Sequence, residues 1–582
     1  MQDTVEPGRA VAIVGLGTVG EALLSMVAAT GRPVIGVDHD PDVIARVERR
    51  LKGKDLDATG EPASCTLTTD ITALAHVGVV VEAVTDDLTA KRDVLRRLRE
   101  VCPSDTAFVT TASSSMPLFP LATASGCPDR IAGLRLLRPP AIGRRAEVVR
   151  TSLTSGEAAD VAERLVTAIG LENVVLGQRA SDFAARLVHP YLNRAAAMVA
   201  DGFASPRDID TAMRLGCGLP SGPLELIDEL GVDEVHGYLQ SQWDRTGDDV
   251  FRPVPLLTSM LRRGTLGRKT GQGFHAYDEQ GRPGEQTPAE RGRLDSPAPG
   301  GRIRHAGVYG SGTMARGIAE VCATSGLRVT LVARSTDKAR SAAAAIEASL
   351  VKAVRRGRIT PTGKEEAVAA LTAVDNVSAL ADCDLVIEAV AEDLAVKRGV
   401  FAQLGAVRRP GAILATTTSS LSVAACTAPA GCPGETLGLH FFNPAPVMKL
   451  VELVRTPDTA DDVMDAGREF CADLGKVSVA CPDRAGFIVN RLLFPYLTDA
   501  VRLLDDAAVD VGALDTAVER GFGYPMGPFA LLDAIGLDVS LAILERLHSE
   551  FPEAGCEPPA VLRELVGEGY LGRKSGRGLR RA

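Results

Sequence analysis

No apolar run in this chain approaches the roughly 18 residues that a membrane-spanning helix needs, so no membrane partner is expected. Its eleven cysteines are scattered and odd in number, with no CxxC spacing. That reads as reduced thiols of a cytosolic protein, and no metal is expected. Positive charge is not in excess either. A net charge of −10 and a pI near 5.5 argue against nucleic acid or an anionic membrane as the main partner, although a local basic pocket could still hold a phosphorylated ligand. The opening MQDTVEPGRAVAIVGLG has no charged segment ahead of a long apolar run, so no secretory signal is evident and a cytoplasmic location is expected. What is present, 45% apolar and 24% charged residues over 582 positions, is the composition of an ordinary soluble protein of several domains.

The chain repeats itself. VAIVGLGTVGEAL (11–23) answers AGVYGSGTMARGIAE (306–320), and VVVEAVTDDLTAKRDVL (79–95) answers LVIEAVAEDLAVKRGVF (385–401). DIDTAMRLGCGLPSGPLELIDELGVD (208–233) answers ALDTAVERGFGYPMGPFALLDAIGLD (513–538), and LGRKTGQGF (266–274) answers LGRKSGRGL (571–579). The order is kept, so the repeat is an enzyme-sized unit and not a solenoid. Between the copies, residues 278–302 are rich in Gly, Pro and charge without apolar periodicity, which reads as a linker. Each unit opens with short β-branched runs alternating with helical patterns, as in parallel sheets with crossover helices. Each closes with apolar residues at three and four spacing, as in RLLFPYLTDAVRLLDD. The fold class expected is therefore α/β plus all-α: a nucleotide-binding domain at 1–178, a helical domain at 179–277, the linker, a second nucleotide-binding domain at 303–483 and a helical domain at 484–582.

Gly15, Gly17 and Gly20 follow the first strand and open a helix, and Asp38 ends the next strand. Together they form a dinucleotide fingerprint: glycines allow close backbone approach, a helix N-terminus faces the pyrophosphate, and the acid accepts from ribose hydroxyls. The first unit could hold NAD there, or keep the fold alone. In the second unit Gly310, Ser311, Gly312, Thr313 and Met314 form the loop, with Ala315 in the third glycine position. Ala333 stands where Asp38 stands, followed by Arg334. Loss of the acid removes repulsion against a 2′-phosphate and Arg334 offers it a charge-assisted bond. NADP(H) is expected to be preferred in the second unit; the alternative is a solvated Arg334 with NAD(H) still bound.

One stretch differs between copies in a chemically decisive way. GLHFFNPAPVMKLVEL (438–453) answers GLRLLRPPAIGRRAEV (133–148) without a gap. His440 becomes Arg135, Asn443 becomes Arg138, and Glu452 stays acidic as Glu147. An imidazole exchanges a proton near neutral pH, whereas a guanidinium, effectively always protonated, cannot act as a base.

The motifs TTTSSL, GLHFFNPAPVMKLVEL, DRAGFIVNRLLFPYL, YPMGPFALLDAIGLD and GRKSGRG occur in this order in the second copy. In them the chain resembles the L-3-hydroxyacyl-CoA dehydrogenase family, including 3-hydroxybutyryl-CoA dehydrogenases. The resemblance implies two Rossmann-like domains, each followed by an all-helical domain like that of 6-phosphogluconate dehydrogenase. It implies His440 as the acid/base and Glu452 as its partner, with Ser419 and Asn490 around the reacting oxygen. By the same resemblance Glu392, Lys397, Asn443 and Lys574 line the nicotinamide, and Ser349 and Arg356 contact CoA; for Arg356 a solvated helix face is the alternative.

In the first copy Ser114, Glu82 and Lys91 match Ser419, Glu388 and Lys397, but Asn490 has become Ala185. Asp38 to Glu82 spans 44 residues against 55 from Ala333 to Glu388, so eleven are missing from the basic segment. The first unit is expected to be catalytically dead and to serve as an in-chain pseudo-dimer partner, or as a nucleotide- or CoA-sensing module; a homodimer through helical domains is the other arrangement. The expected reaction is hydride transfer between C3 of a short-chain acyl-CoA and NADP(H) or NAD(H). Alternative substrates are a dicarboxylic hydroxyacyl-CoA or a free hydroxy acid.

Overall fold

The computed structural model describes residues 9–52, 65–85, 87–111, 118–136, 145–174, 178–278, 284, 303–505, 509–550 and 556–580. The expected linker falls almost wholly outside them, as do Ser114 and Arg138.

Continuous apolar runs such as VAIV are buried on both faces, the mark of a parallel sheet covered by helices on each side. The first sheet is built from β1 (Val11–Val14), β2 (Val34–Val37), β3 (Cys65–Thr68), β4 (Val79–Glu82), β5 (Ala107–Thr111), β6 (Ile131–Leu136), β7 (Arg145–Val149) and β8 (Glu172–Asn173). Its order is β3-β2-β1-β4-β5-β6-β7-β8. The second sheet repeats that order with β9 (His305–Tyr309), β10 (Arg328–Val332), β11 (Leu371–Val374), β12 (Leu385–Glu388), β13 (Ile413–Thr416), β14 (Thr436–Phe441), β15 (Leu450–Arg455) and β16 (Val477–Pro482). All neighbours are parallel except β6–β7 and β14–β15. The stretch that exchanges His440 for Arg135 is thus an antiparallel pair, a departure from the purely parallel reading.

Helices Gln178–Ala200, Pro206–Cys217, Pro223–Leu230, Val232–Thr246 and Pro255–Arg263 make the first helical half. The second half repeats them as Val489–Arg502, Val511–Phe522, Pro528–Ile535, Leu537–Glu550 and Ala560–Gly567. Each half closes with its Gly-Arg-Lys loop docked on a buried aspartate. Asp228 accepts from the amides of Phe274 and His275, and Asp533 from those of Leu579 and Arg580. Gly578 must be glycine because a Cβ would lie 1.9 Å from the Asp533 carboxylate.

The two helical halves share one apolar core. It runs from Tyr191, Leu192 and Met213 of the first unit to Leu450, Val489, Leu497 and Phe529 of the second. Tyr191 and Tyr496, equivalent positions of the repeat, meet edge to face at 5.7 Å between ring centroids. Contact between equivalent residues marks a local two-fold axis. Beside it Arg194 pairs with Asp499 at 2.6 Å.

Candidate active site

The twelve-residue separation of His440 and Glu452 is the length of one turn-back between β14 and β15. That pairing puts the two residues directly opposite in register. The His440 Nδ1–H donates to Glu452 Oε2 at 2.6 Å; both are buried, Glu452 completely. Glu452 Oε1 accepts from the amides of Ile488 and Val489 at 2.9 and 2.8 Å. Three donors therefore compensate a carboxylate removed from water, which burial otherwise makes costly.

Those amides are aimed by a turn that sequence reasoning missed. Phe487 lies at φ 48°, the one non-glycine residue with positive φ among those described. The left-handed conformation costs an aromatic residue about 1–2 kcal/mol. Phe487 is fully buried and its ring stands 5.5 Å from the His440 ring, with Phe442 at 4.6 Å. A Gly-Phe pair just before a helical pattern was the available signal.

Ser419 and Asn490 come together here: Asn490 Nδ2 donates to the Ser419 carbonyl at 3.3 Å. Glu392 holds the Ser419 loop, accepting from Thr418 Oγ1 at 2.7 Å, the Ser419 amide at 2.8 Å and the Ser420 amide at 3.1 Å. Burial works against its charge. The Lys397 ammonium and these donors outweigh burial and hold Glu392 below the usual carboxylate range. Asp483 pins the loop's far end, accepting from Ser422 Oγ and from the amides of Val423 and Ala424 at 2.9, 2.7 and 2.8 Å. Lys476 pins the loop that carries the exposed Asn443, donating to the carbonyls of Ala445 and Met448 at 2.6 and 2.8 Å. Asp483 opens the motif DRAGFIVNRLLFPYL and Lys476 precedes it, and no local pattern marks what either binds.

The other residues that the resemblance names have these surroundings in the structure. Lys397 is only 1% exposed and donates to Glu388 at 2.8 Å, so it reaches the site through Glu392. The first unit repeats that pair as Lys91–Glu82. Lys574 pairs with Asp538 in the helical half, as Lys269 pairs with Asp233. Ser349 donates to the buried Glu320 at 3.1 Å, and Arg356 is exposed at the end of helix Thr336–Arg355.

At the glycine loop, Gly310 sits at φ 142° and a Cβ there would meet the Ala389 carbonyl at 2.4 Å. Gly312 caps helix Thr313–Thr324 without a side-chain bond, and a Cβ on it would meet open space. Uncapped amides beside open space suit a cofactor pyrophosphate, so the loop formed by Gly310, Ser311, Gly312, Thr313 and Met314 fits the dinucleotide its sequence implies. Ala333 is buried and Arg334 is exposed beside it. In the first unit Asp38 Oδ2 accepts from the Leu16 amide at 2.7 Å and Oδ1 from Asp40 at 3.1 Å.

The first unit's counterpart of the dyad is an ion pair. Arg135 lies opposite Glu147 and donates to it at 3.0 Å, with Asp182 3.8 Å from the guanidinium. Asp182 stands where Phe487 stands, and helix Gln178–Ala200 runs through the position of the Phe487 turn.

Comparison with known proteins agrees with this duplicated architecture. The 3-hydroxyacyl-CoA dehydrogenase NAD-binding domain matches residues 10–179 and 305–484, and the C-terminal domain of that family matches 183–277 and 486–582. The 3-hydroxybutyryl-CoA dehydrogenase of Mycobacterium tuberculosis is 43% identical over 278 residues, 47% of this chain and 97% of that one. The 3-hydroxyadipyl-CoA dehydrogenase of Escherichia coli is 43% identical over 278 residues, 48% of this chain and 58% of that one. A crystal structure of 3-hydroxybutyryl-CoA dehydrogenase from Escherichia coli shares the fold over 97% of this chain and 99% of that one, at TM-score 0.55 and 20% identity. With both domain types matched twice, the chain belongs to the 3-hydroxyacyl-CoA dehydrogenase family, whose two-domain unit it carries in tandem.

Proposed function

We propose that the second unit interconverts a short-chain 3-hydroxyacyl-CoA and its 3-oxo form, with NADP(H) preferred, and that the first unit is catalytically silent. The observation that carries this is the buried His440–Glu452 dyad set against Arg135–Glu147 at the same place in the repeat. With Nδ1 committed to Glu452, Nε2 of His440 is left to take the proton of the 3-hydroxyl, or to return it in reduction. The bound nicotinamide supplies the hydride acceptor or donor. Ser419 and Asn490 hold the reacting oxygen, and Glu452 stabilises the imidazolium once it forms. In the first unit the guanidinium of Arg135 offers no base.

Ala333 and Arg334 support the cofactor preference, since the one removes an acid and the other supplies a cation at the end of β10. Oxidation of NADPH and NADH by acetoacetyl-CoA, measured in parallel on the full chain, tests both claims. Fast turnover of NADPH and slow turnover of NADH is expected. Equal efficiencies would overturn the preference, and no turnover of either would overturn the reaction.

A further inference from the structure

We infer that the silent unit positions the catalytic carboxylate of the active one, through the end of helix Pro206–Cys217. This rests on the reading of His440 and Glu452 given above.

That helix packs on β15 and β16, the strands behind His440. Its contact is backbone-close at Gly216, where a Cβ would stand 3.0 Å from Leu450 Cδ2 and 3.0 Å from Val489 Cγ2. Val489 is the residue whose amide donates to Glu452 at 2.8 Å, and Leu450 opens the strand that bears Glu452. Two thiols show the same proximity. Burial, then the Glu452 charge, pushes Cys217 of the first unit up to about 12. Cys481 on β16 is raised by burial first, then by the charges of Glu452 and of Asp208 from the same first-unit helix. The end of helix Pro206–Cys217 therefore packs against Leu450 and Val489, the neighbours that flank and bond Glu452.

The reciprocal contact falls on the silent site. Gly521 is the equivalent of Gly216 in helix Val511–Phe522, and Arg145 of β7 donates to the carbonyls of Glu519 and Arg520 at the end of that helix. One contact supports a live dyad and its mirror image supports a dead one. That asymmetry separates a positioning role from general packing. Gly216 is a positioning residue: it touches neither substrate nor cofactor, and acts by letting the first unit hold Val489 and Leu450 against Glu452.

The test compares G216V, G216A and G521V in the full chain, reading kcat, KM, the pH profile of kcat and Tm with acetoacetyl-CoA. A displaced reacting group costs up to about a hundredfold, so G216V is expected to lower kcat by about tenfold or more, with KM within about twofold and a displaced pH profile. G216A should fall between G216V and the parent, and serves if G216V does not fold. G521V should keep the parent kcat and pH profile. Removing the obstructing methyls with V489A in the G216V background should restore part of kcat. The inference is overturned if G216V and G216A lower Tm but keep the parent kcat and pH profile, or if G521V lowers kcat equally. An inactive parent enzyme would instead overturn the reading of the reaction on which it rests.

Discussion

Replacing His440 with glutamine keeps a hydrogen-bond partner for Glu452 but removes the titrating nitrogen. kcat should fall about 100- to 10,000-fold, while cofactor binding followed by fluorescence stays unchanged. Arg135→Ala makes the opposite pairing of effects. It leaves the buried Glu147 without its guanidinium, and breaking a buried pair costs about 3–5 kcal/mol. Thermal unfolding should reveal that loss, while kcat per folded molecule stays at the parent value; a large fall in kcat would place chemistry in the first unit. Glu392 contributes a pH dependence of its own. Its carboxyl is held below its ordinary value of 4.5, so its stabilising contribution is present above that value and is lost as pH falls through the folded-state pKa. The Tm gap between the parent and E392Q should be widest above pH 4.5 and close on acidification.

Between residues and the whole lie the loops that hold the site. Ser419 is fixed at both ends of its segment, by Glu392 and by Asp483. Asp483 satisfies two amides at the start of helix Val423–Thr427, and leaving charge-bonded donors unpaired costs about 1–3 kcal/mol. Asp483→Ala should therefore lower Tm and reduce kcat together, because the released segment carries Ser419. Unchanged kcat would mean that Glu392 alone holds the serine. The two copies also show how an element is lost. Where Gly486 and Phe487 break the chain before helix Val489–Arg502, the first unit has Ser181 and Asp182 and its helix starts at Gln178. The turn that aims amides at the carboxylate is replaced by helix, and a cation has taken the carboxylate instead.

At the scale of the molecule, the shared core and the Arg194–Asp499 pair bind the two helical halves into one body. Calorimetry should show these halves melting in a single cooperative transition, and Arg194→Ala should lower its temperature by leaving the interfacial Asp499 short of a partner. Two resolved transitions would mean that the junction contributes little. The shared core also gives a physical reason for the first copy to keep its helical motifs, since they supply half of the core on which the second unit's helices pack.

The amino-acid sequence alone determined the duplication, both glycine loops, the alternation that makes parallel sheets, and the exchange of His440 for Arg135. These are properties of residue type and spacing, and a repeat compares them position by position. It also placed Ser419, Asn490 and Glu392 in matched motifs. Only the tertiary structure decided that Lys397 is buried against Glu388, that Lys574 pairs with Asp538, and that Phe487, Lys476 and Asp483 hold the loops around His440 and Ser419. It alone placed Gly216, more than two hundred positions away in the chain, against Leu450 and Val489. Spacing carries the period of a helix or strand, whereas these contacts join segments far apart in the chain. They exist because burial leaves each charge and amide to find a partner among whatever the fold brings near.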